Sequence, residues 1–223
     1  MESREQKSPQ EKYADLDAIR KKFEGAADVV GTEIDPEIKD TVVARNALEI
    51  CTVQSCEGHI EASGSAAPWV EIAAPDQPEY RFNRQKEIFE SHAKKNNMSL
   101  PEFESGYPHR DEYFAALEEA ESSGESAVYQ TWRQKTQKTK NKMSQLLEQF
   151  YQGREAPEDI KIKIKEHEEG AFRIYNGGED YTEEPRTAQE KKQQPGLAER
   201  QKAYRTEMND FAKFLERKFL QSS

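Results

Sequence analysis

Ser55-Cys56-Glu57-Gly58-His59 sets a hydroxyl, a thiol, a carboxylate and an imidazole around one glycine. A cysteine whose pKa is lowered by an imidazole or by converging N–H groups is a nucleophile. Imidazole titrates near neutral pH and can serve as a base. Glycine at position 58 lifts the steric bar to positive φ, which lets successive N–H groups converge on an anion. Cys56, His59 and Glu57 are therefore the candidate catalytic residues. Ser55 and Gly58 are candidate contacts to a phosphate, a carboxylate or the carboxyl group of a cofactor. The plainer alternative is a turn, because a glycine between strands usually serves the connection and a lone cysteine usually packs. The density of reactive groups at a strand end, beside Trp69, favours a site.

Cys51, Cys56 and His59 also spell C-x4-C-x2-H. Zinc can use three such ligands and a water. Cys51, however, falls inside a predicted strand on its core side, and His92, His109 and His167 are scattered along the chain. No metal ligands are assigned on this basis.

The run T-V-Q-S-C-E-G-H followed by P-W-V-E-I resembles a pattern in bacterial and phage proteins of unassigned chemistry, which implies a shared fold. More distantly, S-C-x-G resembles the S-C-S-G-R signature of the wybutosine-synthesising family of tRNA methyltransferases. That likeness implies a methyltransferase using S-adenosylmethionine. Glu57 and His59 stand where the family has serine and arginine, so the cofactor is left unknown. The match covers about twenty residues of the 223.

The elements that must hold this loop are legible by period. Tyr13, Leu16, Ile19 and Phe23 recur as on one helix face, ending at Gly25. Asp35-Pro36 reads as an N-cap and first helical residue of a helix to about Leu48. Residues 50–54 and 68–74 read as strands joined by the 55–67 loop. Residues 80–152 read as helices, broken near Asn96-Asn97, Gly106-Tyr107-Pro108 and Ser122-Ser123-Gly124. Ile160, Ile162 and Ile164 alternate with lysines over 159–165, and 171–176 completes a second hairpin. The expected fold class is α+β: a mainly antiparallel sheet of about four strands, two hairpins packed with helices, with long charged helices outside the core. One face should bury Val53, Val70, Ile72, Ile160, Ile162, Ile164, Phe172 and Ile174. The other should show Thr52, Gln54, Trp69, Glu71, Lys161, Lys163, Arg173 and Tyr175. From that polar face, Thr52, Gln54, Trp69, Glu71 and Arg173 join the candidate ligand contacts.

The expected organisation is a disordered N-terminus over 1–10 and a single α+β domain over 11–178 with a helical insertion at 80–152. A mobile linker over 179–195 and a C-terminal amphipathic helix over 196–223 follow. Apolar and charged residues each make up 34% of the chain, too polar a balance for a compact globule using the whole length. The net charge of −10 argues against a general polyanion binder. Neither a secretory leader nor a membrane span is expected, and two cysteines do not make a disulfide framework, so the expected location is cytoplasmic. The leading functional expectation is a small anionic or nucleotide-like ligand at the 55–59 loop. Alternatives are a protein partner docked on the C-terminal stripe Leu197, Tyr204, Met208, Phe211, Leu215 and Phe219, or RNA on the polar sheet face. The basic run Arg133, Lys135, Lys138, Lys140 and Lys142 reads as a solvated helix face.

Overall fold

The structure is a computed structural model, and the residues described are 7–25, 33–107, 109–167, 170–184 and 186–222. They form an α+β fold with one antiparallel sheet of four strands. In chain order the elements are α1 (Pro9–Lys22), α2 (Pro36–Ala47), β1 (Thr52–Cys56), β2 (Trp69–Ile72), α3 (Gln85–Lys95), α4 (Leu100–Glu104), α5 (Arg110–Ser122) and α6 (Ala127–Tyr151). There follow β3 (Ile162–Glu166), β4 (Phe172–Asn176), α7 (Ala188–Lys192) and α8 (Leu197–Gln221). The chain divides into two compact units, Met1–Ala74 with Thr136–Ser223, and Pro75–Lys135. The expected insertion thus ends within α6 rather than at residue 152. No helix among the described residues is long and apolar enough to cross a membrane.

In the first unit the two hairpins join through their inner strands, giving the order β1-β2-β4-β3 with every pair antiparallel. Val70, Ile72, Ile162, Phe172 and Ile174 are buried with Met143, Leu147 and Phe150 of α6 and Met208, Phe211 and Leu215 of α8. The stripe on α8 is therefore spent largely on its own core: of its six residues only Phe219 is not fully buried.

Two of the expected core strand residues lie elsewhere. Val53 is 47% exposed, because the register slips between Thr52 and Gln54, a bulge that turns the side chain outward. The same slip puts Thr52 opposite Ile72 on the buried side, while Gln54 faces Glu71. Ile160 precedes the strand, in a turn closed by bonds from Ile160 N–H and Lys161 N–H to the Pro157 carbonyl, 2.9 and 3.0 Å.

The ends of the first unit also depart from expectation. Helix α1 begins at Pro9, inside the stretch expected to be disordered, because Ser8 and Glu11 form a capping box. Residues 1–6, the rest of that stretch, lie outside the described residues. Residues 179–195 are not a free linker. Asp180 and Lys191 are buried, Thr187 and Glu190 cap α7, and Gly64 bridges Arg186. Buried charges must be paired or hydrogen-bonded, and this segment's are, which holds it against the 58–67 loop.

The second unit has its own core. Phe82, Ile88, Phe89, Phe103, Ala116 and Ala120 are buried together, and the Phe89 and Phe103 rings meet edge to face at 5.7 Å.

Candidate functional site

Strand β1 runs out at Cys56, opposite Trp69, and the chain then turns at Gly58 with φ of +79°. A Cβ at Gly58 would stand 2.2 Å from the carbonyl oxygen of Ala66. Glycine is therefore required twice, by the left-handed backbone and by the return of the loop. The bend carries Cys56 and His59 to one side, where Asp35, the residue before α2, meets them.

Asp35 occupies the N-cap position of α2 without accepting a side-chain capping bond from that helix. Its Oδ2 instead accepts from the Glu57 N–H at 3.0 Å and lies 3.1 Å from His59 Nε2. Glu57 supplies the missing cap, its Oε2 accepting from the Glu37 N–H at 2.9 Å. One donor atom each from Asp35, Cys56 and His59 lies within 4.8 Å of the other two, all three residues being half-buried. Cys51 is not part of this group, and its thiol donates to the Thr52 carbonyl.

The N–H groups of Glu57, Gly58 and His59 are engaged inside the protein. Glu57 N–H donates to Asp35, Gly58 N–H to Cys56 Sγ at 3.3 Å, and His59 N–H to the Ser65 carbonyl at 3.0 Å. The converging N–H groups expected to cradle an anion therefore already have acceptors. Burial pushes the Cys56 thiol up, and the carboxylates of Asp35 and Glu57 act in the same direction; the Gly58 N–H and Lys191 oppose them. Such a cysteine carries a proton at neutral pH rather than standing as a free thiolate.

Long-range contacts fasten the loop. The buried Lys191 ammonium donates to the carbonyls of His59, Ala62 and Gly64. Arg205 of α8 pairs with Glu57 at 2.9 Å and donates to the Gly58 carbonyl at 2.7 Å. Gln201 donates to the carbonyls of Gly58 and Ala66. Of the expected catalytic residues, Glu57 thus serves as a helix cap and ion-pair partner, while Cys56 and His59 share the corner with Asp35. Asp35 was legible only as an N-cap. Lys191, Gln201 and Arg205 carried no local signal, being charged or polar residues on charged helices.

The expected ligand contacts divide. Ser55 pairs with Val70, whose side chain is buried. Thr52 Oγ1 accepts from the buried Arg45 at 2.7 Å and from Asn46 at 3.3 Å. Trp69, Glu71 and Arg173 form a cluster on the other sheet face. The Arg173 guanidinium lies 4.1 Å over the Trp69 ring and pairs with Glu71 at 2.7 Å. Tyr175 is stacked on Tyr181 at 4.1 Å. Lys161 and Lys163 pair with Glu158, and Lys165 with Glu183. The sheet-face cations thus each have an acidic partner and its aromatics are covered. A cleft of about 590 Å³ lies between α8 and the 179–195 segment, lined by Asp159, Glu179, Asp180, Arg186, Arg200 and Tyr204. Arg200 is bound there to Asp180, and Arg186 donates to the Glu179 carbonyl.

No protein-family model, curated protein or solved structure matches the chain.

Proposed function

We propose that this chain is a binding protein whose ligand is a small cation, held at the corner of Asp35, Cys56 and His59. A cation thus takes the place of the anion that the composition of the loop alone suggests. The observation that carries it is the convergence of a carboxylate, a thiol and an imidazole within 4.8 Å, at a turn where the N–H donors of Glu57, Gly58 and His59 are already engaged. What faces a ligand there is the Asp35 carboxylate beside a thiol and an imidazole. The carboxylate attracts positive charge and repels a phosphate, and a metal cation can displace the thiol proton and take the sulfur as a ligand. The fold supports this use: the half-buried corner is tied by α2, the β1–β2 loop, α7 and α8, so the three groups are held in place before any ligand arrives.

The test is a thermal-unfolding panel on the reduced chain with magnesium, manganese and zinc chlorides and with inorganic phosphate. A cation at about a hundredfold its Kd stabilises by about 2.7 kcal/mol, a rise of roughly 5–10 °C in Tm for a chain of this size. At least one cation is expected to raise Tm in the wild type and not in Asp35→Asn. A rise with phosphate alone would reverse the assignment.

A further inference from the structure

Building on that reading, we infer that the cation is a divalent metal of borderline softness, with zinc the best match, bound by Cys56 Sγ, His59 and Asp35, the fourth position left to water. The donor set selects the metal. Magnesium and calcium take oxygen ligands almost alone, whereas thiolate and imidazole with one carboxylate suit zinc and its transition-metal neighbours.

The geometry is close to what such an ion needs. Zinc bonds of about 2.0–2.3 Å in a tetrahedron put neighbouring donor atoms roughly 3.3–3.6 Å apart. Asp35 Oδ2 and His59 Nε2 stand 3.1 Å apart, and no pair of the three donors exceeds 4.8 Å. Side-chain rotations of about 1 Å would close the set around an ion. The contact between Asp35 and His59 is the one a shared ion would replace.

The surrounding bonds are those that hold metal ligands in position. The Gly58 N–H reaches Cys56 Sγ at 3.3 Å, a donor that stabilises a thiolate. The Glu57 N–H fixes Asp35 Oδ2 at 3.0 Å. Binding would displace the Cys56 proton to solvent, leaving a thiolate, a carboxylate and a neutral imidazole around a doubly charged ion, so the metal and its protein ligands carry no net charge. The Cys56–His59 spacing, with Gly58 at φ of +79° between them, brings both side chains onto the ion from one turn of chain. Asp35 supplies the third ligand from twenty-one residues earlier in sequence.

Cobalt(II) chloride titrated into the full reduced chain tests this, because cobalt substitutes for zinc and reports its ligands by absorption. Expected is a thiolate-to-cobalt charge-transfer band with the intense visible bands of a tetrahedral ion, saturating at one ion per chain and bleached by zinc. Cys56→Ser should lose the charge-transfer band, and His59→Gln and Asp35→Asn should weaken binding by at least about tenfold. Cys51→Ser should leave the spectrum unchanged, and circular dichroism would establish that each variant is folded. Cobalt bound with no charge-transfer band, or a band that survives Cys56→Ser, overturns the zinc site while leaving a cation site standing. Absence of binding by cobalt, zinc, manganese and magnesium overturns both.

Discussion

Asp35 and Glu57 exchange the roles their positions suggest: Asp35 precedes α2 but accepts the Glu57 N–H at 3.0 Å, while Glu57 caps α2 through the Glu37 N–H at 2.9 Å. The exchange locks the start of the helix to the loop. It also leaves Asp35 free to reach His59 at 3.1 Å. A carboxylate that capped its own helix would point along the axis rather than across to the loop. This crossing of partners makes the corner of Asp35, Cys56 and His59 possible.

The two acids should therefore separate in their effects. Glu57→Gln keeps an acceptor for the cap but breaks the half-buried pair with Arg205, with an expected loss of about 1–3 kcal/mol and cation affinity retained. Asp35→Asn keeps an acceptor for the Glu57 N–H, with an expected loss below about 1 kcal/mol, but forfeits the charge at the corner and with it cation binding. Urea unfolding and ligand titration of both variants would check this; equal stability losses with equal binding would contradict it.

Gly58→Ala meets two obstacles together, a positive φ and an Ala66 carbonyl oxygen 2.2 Å from the new Cβ. The expected cost is about 2–4 kcal/mol. Gly153→Ala has a comparable φ of +73° with nothing within 4 Å of its Cβ, and should cost only about 1 kcal/mol. Denaturant midpoints compared across the two variants isolate the close approach from the backbone conformation.

Lys191→Met would strand three carbonyl oxygens, those of His59, Ala62 and Gly64, beneath α7. A loss of about 2–5 kcal/mol is expected. Amide hydrogen exchange should accelerate both in the 58–67 loop and in α7, because each holds the other. Acceleration confined to α7 would mean that the lysine does not fasten the loop.

The sheet was legible because alternation needs only local sequence: the 159–165 and 171–176 runs gave β3 and β4 to within a few residues. Val53 misled because a bulge shifts register by one residue, reversing which side chains face inward, and no residue type at 52–54 announces it. Ile160 continued the alternation, yet Pro157 closes a turn that takes it out of the strand. At the site, Cys56, Gly58 and His59 were visible as a spacing. Asp35 was visible only as a cap, since the same carboxylate suits a helix end and a metal. Lys191 and Arg205 reach the loop across more than 120 residues of chain, and periodicity carries no information at that range.

Arg45 is the one fully buried arginine among the described residues. It donates to Thr41 O and to Thr52 Oγ1, while its Nη1 has no partner. Burial pushes its guanidinium below the ordinary value, opposed only by Cys51, so the charge is held at a desolvation cost without a carboxylate in return. Arg45→Met fills much of the same space without that charge and is expected to leave stability equal or raise it by about 1–2 kcal/mol. Arg45→Ala, which leaves a cavity, should lower it by about 2 kcal/mol or more. A large loss in Arg45→Met would show that the two hydrogen bonds outweigh the desolvation.

Isothermal titration of zinc chloride into the full chain, held reduced, shows whether Asp35, Cys56 and His59 hold the metal. Heat that saturates at one zinc per chain in the wild type, and is lost in Asp35→Asn and in Cys56→Ser with both variants folded, is the predicted result. Saturation unchanged in both variants, or no binding at all in the wild type, would contradict the assignment of Asp35, Cys56 and His59 as a zinc site.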